Sequence, residues 1–266
     1  MNGKAVSAKA CVPTEAPVEL IYNGHLAGTF MCTPQELSAL ALGWLFGQGL
    51  VKGADEIYTI GACENLRKVY VQTAVDRWEE RRGWEKVVTS GCGGGAVLAA
   101  QLTSRLPRAG VGLAVTLADL RRGFKEMAAR STLYQTSGGL HSAALASSGK
   151  LLAHSEDIGR HNAVDKVIGK GLLLDLDFSQ TVLLTTGRIS CEMVIKAAQA
   201  GVPVLASLTT ATDLALELAR WAQITVIGRA AGRRLTVYTG AERVIGWSGR
   251  PAVQEGSEAG AKEQAL

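Results

Sequence analysis

From residue 143 to residue 238 the chain alternates short apolar runs with stretches that read as helix, and this order leaves few architectures open. The runs at 143–145, 151–153, 182–185, 202–206, 224–227 and 235–238 are built largely from Val, Ile, Leu and Ala and predict strands. Helices are expected between them, from Asn162, Ser190 and Thr212. Strands mixed with helices in this order imply an α/β layer fold.

The first half is less regular. An apolar run at 18–22 meets Asn23-Gly24, a hairpin signal, and 26–31 returns as the partner strand. Thr33 is placed to cap a helix, Pro34 suits its first position, and Glu36 completes a capping box. Leu37, Leu40, Ala41, Trp44 and Leu45 then form one apolar face, read as packing surface, and Gly47 and Gly49 supply the stop. Strands are expected at 57–60 and 69–73, and the charged stretch 76–82 reads as a solvated connection. Thr116 with Asp119 caps a further helix whose apolar face is Leu117, Leu120, Phe124 and Met127. A break at 107–112 suggests a flexible N-terminus at 1–17, an N-terminal α/β part at 18–110, a larger part at 111–248 and a flexible tail at 249–266.

With 266 residues, 47% of them hydrophobic and 20% charged, the chain can bury a sizeable core. Its net charge of +4 is too mild to argue for nucleic acid and suits a small anionic ligand as well. The opening residues lack an apolar core segment and no apolar run approaches membrane-spanning length, so a cytoplasmic protein without a membrane partner is expected. Five cysteines, odd in number and without a C-x-x-C pair, fit a reducing compartment.

One of those cysteines stands apart. Cys92 lies within Thr89-Ser90-Gly91-Cys92-Gly93-Gly94-Gly95-Ala96, between a strand-like run at 84–89 and a helix expected over 96–106. Glycines clear side chains from the sulfur, and a helix start favours the thiolate, so Cys92 is a candidate nucleophile. The bland reading is a small residue buried beside a tight turn. The same octet fits G-x-G-x-x-A, but the acidic residue a dinucleotide fold would place downstream is missing, since Asp119 opens another helix. A P-loop is excluded because no Lys-Ser or Lys-Thr follows the glycines.

Four junctions in the second half put glycine beside histidine or arginine at strand ends, where α/β proteins bind ligands. They are 137–143 with Gly139 and His141, and 154–166 with Arg160, His161 and Asn162. The others are 186–192 with Gly187, Arg188 and Ser190, and 227–234 with Ile227, Gly228, Arg229, Ala230, Ala231, Gly232 and two further arginines, Arg233 and Arg234. Backbone amides together with a guanidinium could hold phosphate at each, which implies a long, multiply charged ligand. The competing readings are structural: Asp157 and Asp165 cap a helix or pair with Arg160 and Lys166, Arg233 and Arg234 are edge charges, and His25 is a surface hairpin residue without function. His154-Ser155-Glu156 reproduces half of a zinc deaminase signature, but its cysteine half is absent, so no metal site is expected.

With those residues in hand, the chain resembles the formate dehydrogenase accessory sulfurtransferase family, FdhD/NarQ. The resemblance runs from about Val18 to Tyr238. It rests on Cys32-Thr33-Pro34, Thr89-Ser90-Gly91-Cys92-Gly93, Gly138-Gly139-Leu140-His141, Glu156-Asp157-Ile158-Gly159-Arg160-His161-Asn162-Ala163-Val164-Asp165-Lys166, Gly187-Arg188-Ile189-Ser190-Cys191-Glu192-Met193-Val194 and Ala200-Gly201-Val202-Pro203-Val204. It implies a small N-terminal α/β part and a larger, cytidine deaminase-like three-layer domain. It also implies a sulfur carrier that takes sulfur from a cysteine desulfurase as a Cys92 persulfide. The acceptor would be the molybdenum cofactor, bis(molybdopterin guanine dinucleotide), before that cofactor enters formate dehydrogenase. The turn from Ile227 to Gly232 matches the family's cofactor-binding segment, and a homodimer is left open. The chain departs from the family's Gly-Cys-Gly-x-Cys-Gly pattern at Gly95, where a second cysteine would stand. That departure removes a resolving thiol from the loop and leaves a rival reading, a cofactor-binding chaperone without sulfur chemistry. A nicotinamide enzyme using the glycine loop is the third.

Overall fold

A computed structural model describes residues 10–63, 65, 67–81, 106–110, 112–232 and 235–249. Cys92, the strand expected at 84–89 and nearly all of the helix expected over 96–106 lie outside the described residues. So do Arg233, Arg234 and most of both ends read as flexible.

The N-terminal elements are β1 (Ala16–Tyr22), β2 (His25–Cys32), α1 (Leu37–Gly47), β3 (Ile57–Cys63) and β4 (Lys68–Thr73). They form a four-stranded sheet in the order β2-β1-β4-β3, with β1 and β4 parallel and the other pairs antiparallel. Asn23 and Gly24, both at positive φ, make the hairpin turn that their sequence predicts. Val18, Leu20 and Tyr22 alternate inward on β1 and meet Val69, Val71 and α1 in one core.

The capping box expected before α1 does not form. Glu36 is the residue before the helix, at φ 56 and without a side-chain cap, and its carboxylate pairs instead with Lys170. The Thr33 hydroxyl accepts the Ile158 N–H at 3.3 Å. Nor does α1 have a single apolar face. Ala39, Leu42 and Gly43 are buried along with Leu37, Leu40, Ala41 and Leu45 of the predicted stripe, while Trp44 is half-buried, because the helix is enclosed between its own sheet and a second helix. The charged stretch is also less solvated than expected at its second residue. Arg77 is buried, with a two-pronged ion pair to Glu56 at 2.7 Å for each bond, and its N–H donates to the Tyr22 hydroxyl.

The larger sheet has six strands in the order β11-β10-β9-β8-β6-β7. They are β6 (His141–Ser147), β7 (Lys150–Asp157), β8 (Val182–Thr185), β9 (Val204–Ser207), β10 (Thr225–Gly228) and β11 (Thr236–Thr239). β8, β9 and β10 are parallel, while β6, at one flank, and β11, at the other, run antiparallel to them. Along β8 and β9, Leu183 and Leu205 face one side while Val182, Leu184, Val204 and Ala206 face the other. Both faces are therefore covered.

On the first side lie α4 (Arg160–Leu173), α5 (Cys191–Ala200) and α6 (Asp213–Trp221). On the second lies α2 (Leu117–Arg130), capped by Thr116 through the Asp119 N–H as its sequence predicts, with Leu120, Phe124 and Met127 inward. A two-stranded sheet of β5 (Val115–Thr116) and β12 (Val244–Ile245) extends that side. The short helix α3 (Thr132–Ser137) follows α2 and was not expected from the sequence. The fold class is α/β, in three layers. Leu106 and Ala109 join the core beneath α4, α5 and α6, and the Ala109 N–H donates to Ala222 O.

Helices α1 and α4 join the two sheets, and two glycines set how closely. A Cβ placed on Gly43 would strike the Asp165 carbonyl, and one on Gly169 would strike the Ala39 carbonyl. Backbone meets backbone at the crossing, which only glycine allows.

Candidate functional site

The register brings all four glycine-rich junctions to one end of the large sheet. Ala143 pairs with Thr185, Thr185 with Ser207, Ala206 with Ile227, and His141 with Asp157. The start of β6 and the ends of β7, β8, β9 and β10 therefore form one edge. In open α/β sheets that edge is where ligands bind.

Hydrogen bonds sort its residues into braces and free groups. Asp157 and Lys166, both fully buried, form an ion pair of 2.6 Å. Asp157 also accepts the N–H groups of Thr33 and Gly159 at 3.1 and 2.8 Å, and Lys166 donates to Thr33 O at 2.9 Å. Asn162 donates to Asp157 Oδ1 at 3.1 Å and to Met31 O at 2.8 Å. These bonds clasp the β2–α1 junction onto the end of β7. A second row joins α4 to α5, where His161 Nε2 lies 2.9 Å from Glu192 and 3.3 Å from Ser190 Oγ, and Asp165 pairs with Lys196 one turn further along. The predicted pairing of these aspartates is thus half right, since Asp157 takes Lys166 but Asp165 takes Lys196 and Arg160 takes neither. The His161 hydrogen bond holds the Glu192 carboxyl below its ordinary value. Burial pushes the Asp165 carboxyl up, against the pull of Lys196.

Arg160, at the start of α4, is different. Its Nε is buried with no hydrogen-bond partner among the described residues, and its stem lies on Gly187, where an added Cβ would come within 2.7 Å of the Arg160 Cβ. An orphaned guanidinium donor at a ligand-binding edge is suited to an anion. Beside it, His141 Nδ1 lies 3.2 Å from Thr186 Oγ1, which also accepts the Ser142 N–H. Burial lowers the His141 pKa, and the charges of Arg160 and His161 lower it further. Arg188 is exposed on the loop after β8, and Ser190 precedes α5.

The turn after β10 is less open than its glycines suggest. Ile227 and Ala230 are fully buried in the core under α2, and a Cβ on Gly228 would meet Tyr238 at 2.7 Å and Thr209 O at 2.8 Å. The N–H groups of Arg229 and Ala230 donate to Thr209 O and Ser207 O at 2.7 and 2.9 Å, so those amides are already spent. Arg229, Ala231 and Gly232 remain at the surface. Gly139 is exposed, but Pro13 stands in the space a side chain there would take.

His154 and Glu156 serve the structure. Glu156 accepts the N–H groups of Leu133 and Tyr134 at 3.0 and 2.8 Å, capping α3, and His154 Nε2 lies 3.4 Å from Ser131 Oγ. Among the described residues, no group of three or more His, Cys, Asp or Glu side chains is placed to hold a metal ion. No helix among them is long and apolar enough to cross a membrane. His25 stacks on Trp78 at 4.9 Å and lies 3.8 Å from Asp76 on the exposed hairpin. The Cys32 thiol is pushed up to about 11 by burial, reinforced by Asp157, which disfavours its thiolate. Burial likewise raises the Cys191 thiol.

Residues 13–245 match the model of the FdhD/NarQ family. The chain belongs to that family. Among its FdhD/NarQ relatives, a protein of Bacillus licheniformis named sulfur carrier protein FdhD is 33% identical over 91% of this chain and 93% of the relative. One of the same name from Bacillus subtilis is 34% identical over 87% of this chain and 89% of the relative. A crystal structure described as that of a formate dehydrogenase accessory protein, from Desulfotalea psychrophila, has a TM-score of 0.72 and 28% identity. It covers 88% of this chain and 90% of its own.

Sequence reasoning left three residues of the FdhD/NarQ edge without a role: Thr186, which opens one of the predicted junctions, and Ser207 and Thr209, which lie in none. Thr186 fixes His141, and Ser207 and Thr209 tie the β9 end to the Arg229 turn. The signal for Ser207 and Thr209 was present in the hydroxyl-rich run Ser207-Leu208-Thr209-Thr210 that follows an apolar strand.

Proposed function

We propose that this FdhD/NarQ chain is a sulfur carrier serving formate dehydrogenase, with Cys92 as the carrying thiol and the strand-end edge as the seat of the sulfur acceptor. The Cys92 thiolate attacks the outer sulfur of a persulfide on a cysteine desulfurase. The S–S bond to the donor breaks, the donor leaves as thiolate, and a Cys92 persulfide forms without net oxidation. The acceptor, as substrate, is the molybdenum cofactor, whose guanine dinucleotide arms carry phosphates. Those phosphates suit Arg160, with Arg188, Arg229 and the Ser190 hydroxyl at the same edge.

The observation that carries this reading is the buried Arg160 Nε, without a hydrogen-bond partner among the described residues, at the convergence of β6, β7 and β8, in a chain whose relatives are named sulfur carriers. A cytidine deaminase-like origin for the six-stranded part belongs to the same proposal, with His154 and Glu156 now bonded around the start of α3. Intact mass measurement after incubation with a cysteine desulfurase and cysteine tests the sulfur step. The protein gains one sulfur atom and Cys92→Ala gains none. Equal uptake by the two, or none by either, defeats it.

Gly95 favours a second reading, a chaperone that holds the cofactor without carrying sulfur, because the loop lacks a second thiol. Complementation of formate dehydrogenase activity by Cys92→Ser separates the two, since the chaperone needs no thiol at that position.

A further inference from the structure

The segment that leads into β1 runs against the strand-end edge. Pro13 is half-buried, whereas Cys11 is exposed and Val12 is 76% exposed, so the proline ring is what rests on the body of the protein. It rests on Gly139. A Cβ built there would lie 2.8 Å from Pro13 Cγ and 3.3 Å from Cδ. Among the described residues, Cys11, Val12, Pro13 and Thr14 make no hydrogen bond to the rest of the chain, and firm attachment begins at Ala16 in β1. A stretch without a hydrogen bond to the body opens at low cost. Gly139 does not adopt the positive φ that its neighbour Gly138 does, so its missing side chain serves the space above it. That space adjoins His141 and, through Thr186, the loop that carries Gly187 and the Arg160 stem.

We infer that residues 10–15 form a strap over the edge that lifts off Gly139 when the phosphate-bearing ligand enters. The inference rests on the edge being the ligand seat proposed above. Closed, the strap occupies the side-chain space of the otherwise exposed Gly139; open, it lets a ligand's phosphate or sugar approach the backbone from that side. Binding then carries the cost of opening, and apparent affinity falls by the fraction of molecules that are closed.

The geometry supplies its own test. Pro13 Cβ lies 3.9 Å from the Cβ position at Gly139, within the span of a disulfide. Pro13→Cys with Gly139→Cys, in a Cys11→Ser, Cys92→Ser background, locks the strap when oxidised and frees it when reduced. Guanosine diphosphate is titrated by calorimetry against both forms of the same full-length protein, with the crosslink verified by mass. The locked form is expected to bind at least about tenfold more weakly than the reduced form, and Pro13→Gly about two- to fivefold more tightly than wild type. Equal affinities of locked and reduced protein, in a protein that binds, overturn the strap and leave the edge standing. Binding by Pro13→Gly but not by wild type supports the strap. If none of the proteins binds the nucleotide, the reading of the edge fails and the strap falls with it.

Discussion

Helix α4 carries two kinds of charge, and they do opposite work. Along its length Asp165, Lys166 and Lys170 are consumed by partners: Lys196 on α5, Asp157 at the end of β7, and Glu36 at the start of α1. At its first residue, Arg160 has a buried donor with no hydrogen-bond partner among the described residues. Both belong to the same dense polar motif in the sequence, and they differ only in what the fold brings up to them. Density of charge therefore marks a clasp as readily as a site, and counting hydrogen bonds group by group tells them apart.

Breaking the clasp has the largest expected effect. Lys166→Met leaves Asp157 fully buried without its cation and lowers stability by about 3–5 kcal/mol in denaturant titration. Adding Asp157→Asn to that variant recovers much of the loss, because the penalty belongs to the stranded charge. A smaller loss, about 2–3 kcal/mol, follows from Gly169→Ala, whose methyl would collide with the Ala39 carbonyl across the α1–α4 crossing. Thermal unfolding reads it directly.

The smallest effect lies in the half-buried row between α4 and α5. His161 holds the Glu192 carboxyl below its ordinary value of 4.5, so the pair contributes stability that is fully present above that value. It is lost as pH falls through the depressed one. Glu192→Gln should cost about 0.5–1 kcal/mol above pH 4.5, a gap that closes in stronger acid. A gap that instead widens toward low pH contradicts the assignment.

Much of this was legible in the sequence, and the parts that were not share a cause. The alternation from 143 onward locates β8 at its observed bounds and every later helix within a residue or two, because period and caps are local properties. Thr33 and Glu36 were misread as a capping box because their partners, Ile158 and Lys170, lie more than a hundred residues away in sequence. Nothing nearby competes with the local reading of those two residues. The strands β5 and β12, at two residues each, are too short for any period to show. At the edge, the histidines, arginines and glycines were identified by type and position. Which of them were already bonded, as Asn162 and His161 are, depended on residues 5 to 131 positions away.

The central claim is that Arg160 is the group left free for the ligand's phosphate while its neighbours hold the frame. Calorimetric titration of guanosine diphosphate into wild type and Arg160→Gln, with unfolding curves for both, measures it most directly. Affinity should fall about tenfold or more while stability stays within about 0.5 kcal/mol. Unchanged affinity, or a loss of binding that merely tracks a loss of stability, would contradict it.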